Sequence, residues 1–244
     1  MPEHRINLDP CNPSQYFACC GLFELSELAA PGGEAWFADE GRAFVISTEA
    51  SLPPALELEP RQEAYSGDPK LEPLVLRAAD RRLTLNWWRN HAMTEKSSLK
   101  TWGGPQTPRR MLDELIGLLD FEISPEKLSQ FAVYTKTRFG VDGRSAWDAL
   151  DTGYSPNYVG QGQAAATFPW IEVLAVAGLQ GFRPAGESRS YRYTAWYAPL
   201  TLASARAACA APWQGLPART FGFEIATRGQ GYKTFLFAKE LDRV

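Results

Sequence analysis

The chain has 244 residues, with 25 Lys and Arg against 28 Asp and Glu and a formal charge of −3. With 45% hydrophobic and 22% charged residues, it can bury a substantial core, which excludes wholesale disorder. No apolar run approaches the ~18 residues of a membrane span, and the start from Met1 to Arg5 lacks a secretory pattern. Four cysteines without regular spacing do not form a disulfide framework, so a reducing cytoplasm is the expected compartment.

Ile6 and Leu8 read as a short strand. Asn12 suits an N-cap, Pro13 the first helical position and Gln15 the return partner of a capping box. The helix predicted over 13–29 is apolar on nearly all sides through Phe23, and so should be buried. Glu24 and Glu27 should mark where it emerges, and Pro31-Gly32-Gly33 ends it. Trp36-Phe37, the turn Asp39-Glu40-Gly41, and Phe44 with Ile46 predict a hairpin. Residues 49–73 hold five prolines and many acids, an irregular connection. A second hairpin is expected from Leu74-Val75-Leu76 through a turn near Asp80 to Leu83, Leu85 and Trp87.

Thr107-Pro108 opens a helix with Met111, Leu112, Leu115, Ile116 and Leu119 on one face, and Ser124-Pro125-Glu126 a shorter one. Val133 to Phe139 reads as a strand with Lys136 and Arg138 opposite Thr135 and Thr137. Residues 140–163 should form loops around Trp147. Thr167-Phe168-Pro169 opens an apolar helix through Leu179, stopped by Gly178 and Gly181. Ser188–Trp196 is a predicted strand and Leu202–Ala210 a helix. Phe221–Thr227 and Tyr232–Phe237 form a last hairpin. Strands and helices mix without a βαβ rhythm, so the expected class is α+β, with mixed or antiparallel sheets around the buried N-terminal helix. The expected organisation is one unit over 1–244, with 1–80 as an optional acidic subdomain.

The near-neutral total hides an asymmetry. Residues 1–80 carry 5 basic and 14 acidic side chains, whereas 81–110 carry 7 basic and 1 acidic. A weakly acidic protein with one basic segment can grip phosphate locally without coating nucleic acid. Enzymatic signatures are missing: the two histidines, His4 and His91, have no metal-ligand spacing, and no nucleophile or phosphate-loop motif occurs. Cys19-Cys20 lie in the apolar helix, where thiols are usually packing. No catalytic residue, metal or cofactor is therefore expected.

The segment from Asn86 to Arg110 combines cations for phosphates (Arg89, Lys96, Lys100, Arg109, Arg110), rings for stacking (Trp88, Trp102) and amides able to read base edges (Asn90, Gln106). The competing reading is that the tryptophans are core. At least one of Trp87 and Trp88 must be, because neighbours on a strand face opposite ways. A second group is Lys136, Arg138 and Asp142-Gly143-Arg144, where an internal Asp–Arg network competes with phosphate contact. A third is Arg189-Ser190-Tyr191-Arg192-Tyr193, which alternates cations with aromatics and reads equally as an exposed strand face.

Taken together, several blocks resemble a family. These are Asn12-Pro13 with Phe17 to Leu22, Trp87-Trp88, Lys100 to Gln106, Asp142-Gly143-Arg144 and Asp151 to Pro156. Their order and spacing look like the Csb-type proteins of type I-U (also called I-G) CRISPR–Cas systems, the family regarded as the large-subunit equivalent. The resemblance implies a non-catalytic subunit of a crRNA-guided surveillance complex. Such a subunit would contact target DNA beside the flanking motif and help recruit the helicase-nuclease. Its partners would be crRNA, target DNA and the backbone and repeat-processing subunits, with guide pairing carrying sequence discrimination. Two alternatives remain: a structural bridge with little nucleic-acid contact, or a repeat-processing endoribonuclease.

Overall fold

The computed structural model describes residues 1–61, 65–90, 95–144, 165–228 and 232–241. At its centre lies α1 (Pro13–Ala29). The Asn12 Oδ1 accepts from the backbone N–H groups of Ser14 at 3.0 Å and Gln15 at 3.4 Å, which starts the helix. The capping box is replaced by a longer reach: the Gln15 carboxamide accepts from the N–H of Asp9 at 2.7 Å.

α1 crosses α3 (Pro169–Gly181) with the two backbones in contact. A Cβ on Gly21 would lie 1.9 Å from the Leu174 carbonyl oxygen, and one on Gly178 would lie 2.0 Å from that of Phe17. Only glycine fits either position. Gly178 therefore does not stop the helix, as its sequence context suggested, but lets it touch its neighbour. Glu24 does not mark emergence either. It is buried beside α4 (Leu202–Ala210), where the Arg206 Nε donates to it at 2.7 Å. Glu27, half-buried, caps the turn after the helix by accepting from the N–H groups of Gly32 and Gly33.

Antiparallel sheets enclose this helix pair. In one, β1 (Glu3–Asn7), β3 (Ala43–Ser47) and β2 (Glu34–Ala38) run in the order β1-β3-β2. The largest contains β9 (Ala185–Glu187), β10 (Ser190–Trp196), β11 (Ala218–Arg228), β12 (Tyr232–Phe235) and β13 (Lys239–Glu240). Its order is β12-β11-β10-β9, with β13 also on β11. Aromatic stacking joins the sheets to α1. Tyr16 lies 4.2 Å from Tyr193 and 5.0 Å from Phe37, ring centroid to centroid. Such offset pairs add to the burial of their area.

A third sheet, β4-β5-β6, pairs β5 (Leu74–Ala78) with β6 (Arg81–Leu85) as expected. It also recruits β4 (Leu56–Leu58) from the proline-rich stretch. α2 (Pro108–Ile116) starts at Thr107, whose hydroxyl accepts from the Arg110 N–H. β7 (Val133–Thr135) pairs β8 (Ala165–Thr167) and is shorter than the strand expected to Phe139.

The fold is α+β. Its core is one cluster running from Ile6 to Ala238, so residues 1–80 share it. Burial raises the thiol pKa of Cys19 and Cys20, and pushes that of Cys209 up to about 12, which suits inert packing. Among the described residues no helix is long and apolar enough to cross a membrane. The loops expected around Trp147 and the Asp151–Pro156 block lie outside the described residues.

Candidate nucleic-acid interface

The basic segment begins where β6 ends. The Arg89 N–H donates to the Asn86 carbonyl at 3.0 Å, turning the chain. That turn abolishes strand alternation, so Trp87 and Trp88 both point inward and both are fully buried. With Trp102 they form a triangle of ring centroids 5.7 Å apart on every side, each pair edge to face. Phe139 closes the cluster 5.3 Å from Trp102. The Trp87 indole N–H donates to the Val176 carbonyl of α3 at 2.9 Å, and Gln180 holds the Asn86 and Trp87 amides. Trp88 and Trp102 thus offer no face to a base. Their assignment as stacking residues is corrected: they are core.

Asn90 is corrected as a base reader. Its side chain both accepts from the Glu95 N–H, at 3.2 Å, and donates to the Glu95 carboxylate, at 3.3 Å, closing a turn. Arg89 and Lys96 form a bridge beside it.

Lys100 is only 5% exposed. Its Nζ sits 4.5 Å from the Trp102 ring centroid and donates to the Trp102 carbonyl. Its pKa is lowered to about 8, first by burial and next by the charges of Lys96 and Lys70, with Lys233 adding to them and Asp68 opposing. Lys100 is therefore a buried organiser and not a direct phosphate ligand. The charges acting on it are those of exposed Lys96, half-buried Lys70 and half-buried Lys233, opposed by exposed Asp68, whose carboxylate accepts from the Lys70 N–H.

Two contacts bring this loop against the large sheet. The Lys233 N–H donates to the Thr101 carbonyl at 3.3 Å, and the hydroxyls of Ser98 and Tyr191 share a hydrogen bond. Lys70 and Lys233 lie far from the basic segment in sequence, and nothing in the residue pattern signalled them. Tertiary contact alone brings them there.

The other end of the segment faces acids. Arg109 is corrected to an internal pairing residue: its Nε donates to buried Glu72 at 2.9 Å, and its Nη1 to the Glu59 carbonyl at 2.8 Å. Arg110 is 75% exposed and pairs with Glu114 one helical turn on, at 2.7 Å. Gln106 is half-buried in a turn onto Gly103.

Lys136 is exposed next to Thr137, whose hydroxyl donates to the same Glu114. Arg138 is buried rather than displayed, because the chain leaves β7 after Thr135. Arg144 also turns inward. It meets the fully buried Asp142 at 2.7 Å, donates to the Ser129 carbonyl at 2.7 Å, and lies 3.4 Å over the Phe168 ring. The internal Asp–Arg network is what forms there.

Asp142 also accepts from Asn12 Nδ2 at 3.1 Å. Beside it, Glu172 accepts from the N–H of Phe139 at 2.9 Å and of Asp142 at 3.3 Å. Burial, followed by the Asp142 charge, raises the Glu172 pKa to about 7. This buried acid pair fastens both helix starts to the 139–144 loop, and the sequence reading missed Glu172. Its signal was a lone acid in the first turn of an apolar helix. Among the described residues, no group of three or more His, Cys, Asp and Glu side chains is placed to hold a metal ion.

Arg189 is exposed in the turn between β9 and β10, and Arg192 is exposed on β10, opposite Gly222 of β11. Compared with protein-family models, curated proteins and solved structures, the chain gave no match.

Proposed function

We propose that this chain is a non-catalytic, nucleic-acid-contacting subunit of a type I crRNA-guided surveillance complex, bearing on target DNA near its flanking motif and helping to recruit the helicase-nuclease. The sequence blocks supply the assignment to such a complex. The observation that carries nucleic-acid contact is that Lys233, through its N–H to the Thr101 carbonyl, joins the Lys96–Lys100 loop, where the charge of Lys70 adds to theirs and Asp68 opposes, on an otherwise acidic body. Clustered cations displace condensed counterions from a phosphate backbone whatever the overall charge. The buried acids Asp142 and Glu172 are committed to Arg144, Asn12 and backbone amides, which gives them a structural role.

A structural bridge is the second reading, favoured by the burial of all three tryptophans, which removes base stacking from the segment. A gel shift with guide RNA and target duplex, using the complex with and without this chain, separates the two. Loss of target binding when the chain is left out, restored by wild type but not by Lys96→Glu/Lys233→Glu, is expected. Full restoration by that variant favours the bridge, and cleavage of RNA by the purified chain would refute both.

A further inference from the structure

The outer face of the large sheet carries a cleft of about 640 Å³, within the range of small-ligand sites. Its floor is a cross-strand row. Arg192 of β10 is opposite Gly222 of β11, and Gly222 is opposite Lys239 of β13. Directly opposed residues share a face, so the two cations stand two strand spacings or about 10 Å apart, with the Leu241 side chain lying over Gly222 between them. Both are exposed, and the ion pairs among the described residues involve neither. Leu236, Phe237 and Leu241 add an apolar wall. Glu224, one same-face row along β11, is the acid in the lining.

This is an anion seat with an apolar wall, closed over Gly222 by Leu241. We infer that it takes one unpaired nucleotide, with its phosphate between Arg192 and Lys239 and its base against Phe237, Leu236 and Leu241. Two cations converging on one point match a phosphate. A flat base has a π-face for an aromatic wall whatever its identity. The Glu224 carboxylate accepts from a sugar hydroxyl or a base amino group and repels a second phosphate, which limits the seat to one nucleotide.

Tyr191, which shares a hydrogen bond with Ser98 of the basic loop, is the strand neighbour of Arg192, so the loop and the seat lie on different faces of the sheet. The inference rests on the proposed nucleic-acid contact and adds to it a pocket for a base that is not paired.

The test uses the full chain and amide chemical-shift perturbation, with adenosine 5′-monophosphate, inorganic phosphate and a homopolymeric single strand as probes. The monophosphate should shift the amides of Gly186, Gly222 and Lys239. It should bind at least about tenfold more weakly to Arg192→Glu/Lys239→Glu, the scale of one lost charge-assisted contact. Phe237→Ala, which removes the aromatic wall without changing charge, should weaken the monophosphate and leave inorganic phosphate unaffected. Lys70→Glu/Lys96→Glu/Lys233→Glu should weaken the long strand but keep the monophosphate. Inorganic phosphate binding as well as the monophosphate would reduce the seat to an anion site and overturn the inference. So would unperturbed cleft amides with wild-type protein. A long strand that binds the triple variant normally counts instead against the proposed function.

Discussion

Replacing Gly178 by alanine sets two opposing effects against each other in a way that fixes the sign of the outcome. Alanine in a helix interior is favoured over glycine by about 1 kcal/mol, so propensity alone predicts stabilisation. At this crossing, however, the new methyl would lie 2.0 Å from the Phe17 carbonyl oxygen and 2.8 Å from the Gly21 nitrogen. Both are backbone atoms, so no side chain can swing aside. Relief requires α1 and α3 to separate by more than 1 Å, roughly the gap between 2.0 Å and an ordinary contact of about 3.5 Å. The aromatic contacts of Tyr16 and Phe17 with the large sheet would loosen with it.

Overpacking a close-packed core costs typically about 1–3 kcal/mol and sometimes more. With two rigid backbones in collision, the upper part of that range applies, and a net loss of about 2 kcal/mol remains after propensity is credited. For a chain of this size that is a fall in Tm of roughly 4–8 °C. Thermal and urea melts of Gly178→Ala, Gly21→Ala and the double variant should show two losses that are less than additive, because one separation relieves both collisions. A Tm at or above wild type for Gly178→Ala would refute the backbone-contact account of the crossing.

Lys100 and Glu172 give predictions in pH. The folded pKa of Lys100, about 8, lies below its ordinary 10.5, so above pH 8 the unfolded chain binds more protons and stability rises with pH. Wild type should gain on the order of 3 kcal/mol relative to Lys100→Met between pH 7 and pH 11 in urea melts, and parallel pH profiles would contradict the buried cation. For Glu172 the shift is upward, from 4.5 to about 7. Folded protein then holds the extra proton between those values, and the Glu172 contribution to stability falls as pH rises through that window. Carboxyl carbon shifts should place the Glu172 midpoint near pH 7, and a midpoint near pH 4.5 would remove the buried-acid reading.

The helices and hairpins were legible because local chemistry and tertiary demand agreed. Asn12-Pro13 caps and starts α1, and the alternation in 34–47 and 74–85 survives as paired strands. What failed did so where a residue has two physically acceptable roles. Gly178 reads as a stop until a second helix needs its missing Cβ. Glu24 reads as surface until Arg206, 182 residues away, arrives beside it. The basic segment was legible as a cluster but not as a surface. Whether a cation meets phosphate or carboxylate depends on neighbours from other elements, such as Glu72 for Arg109 and Glu114 for Arg110. Trp88 was lost to the core because the Asn86–Arg89 turn overrides the strand period, which no composition rule anticipates.

The salt dependence of nucleic-acid binding by the full chain tests the central claim most directly. If Lys70, Lys96 and Lys233 each release a counterion on meeting phosphate, reversing all three should make the slope of log K against log salt shallower by about two to three units. The variant should melt like wild type, since none of the three is buried. Arg109→Met, which removes an internal partner of Glu72, should instead lower stability and leave the slope unchanged. A triple reversal that keeps the wild-type slope and affinity in a folded protein would contradict the account.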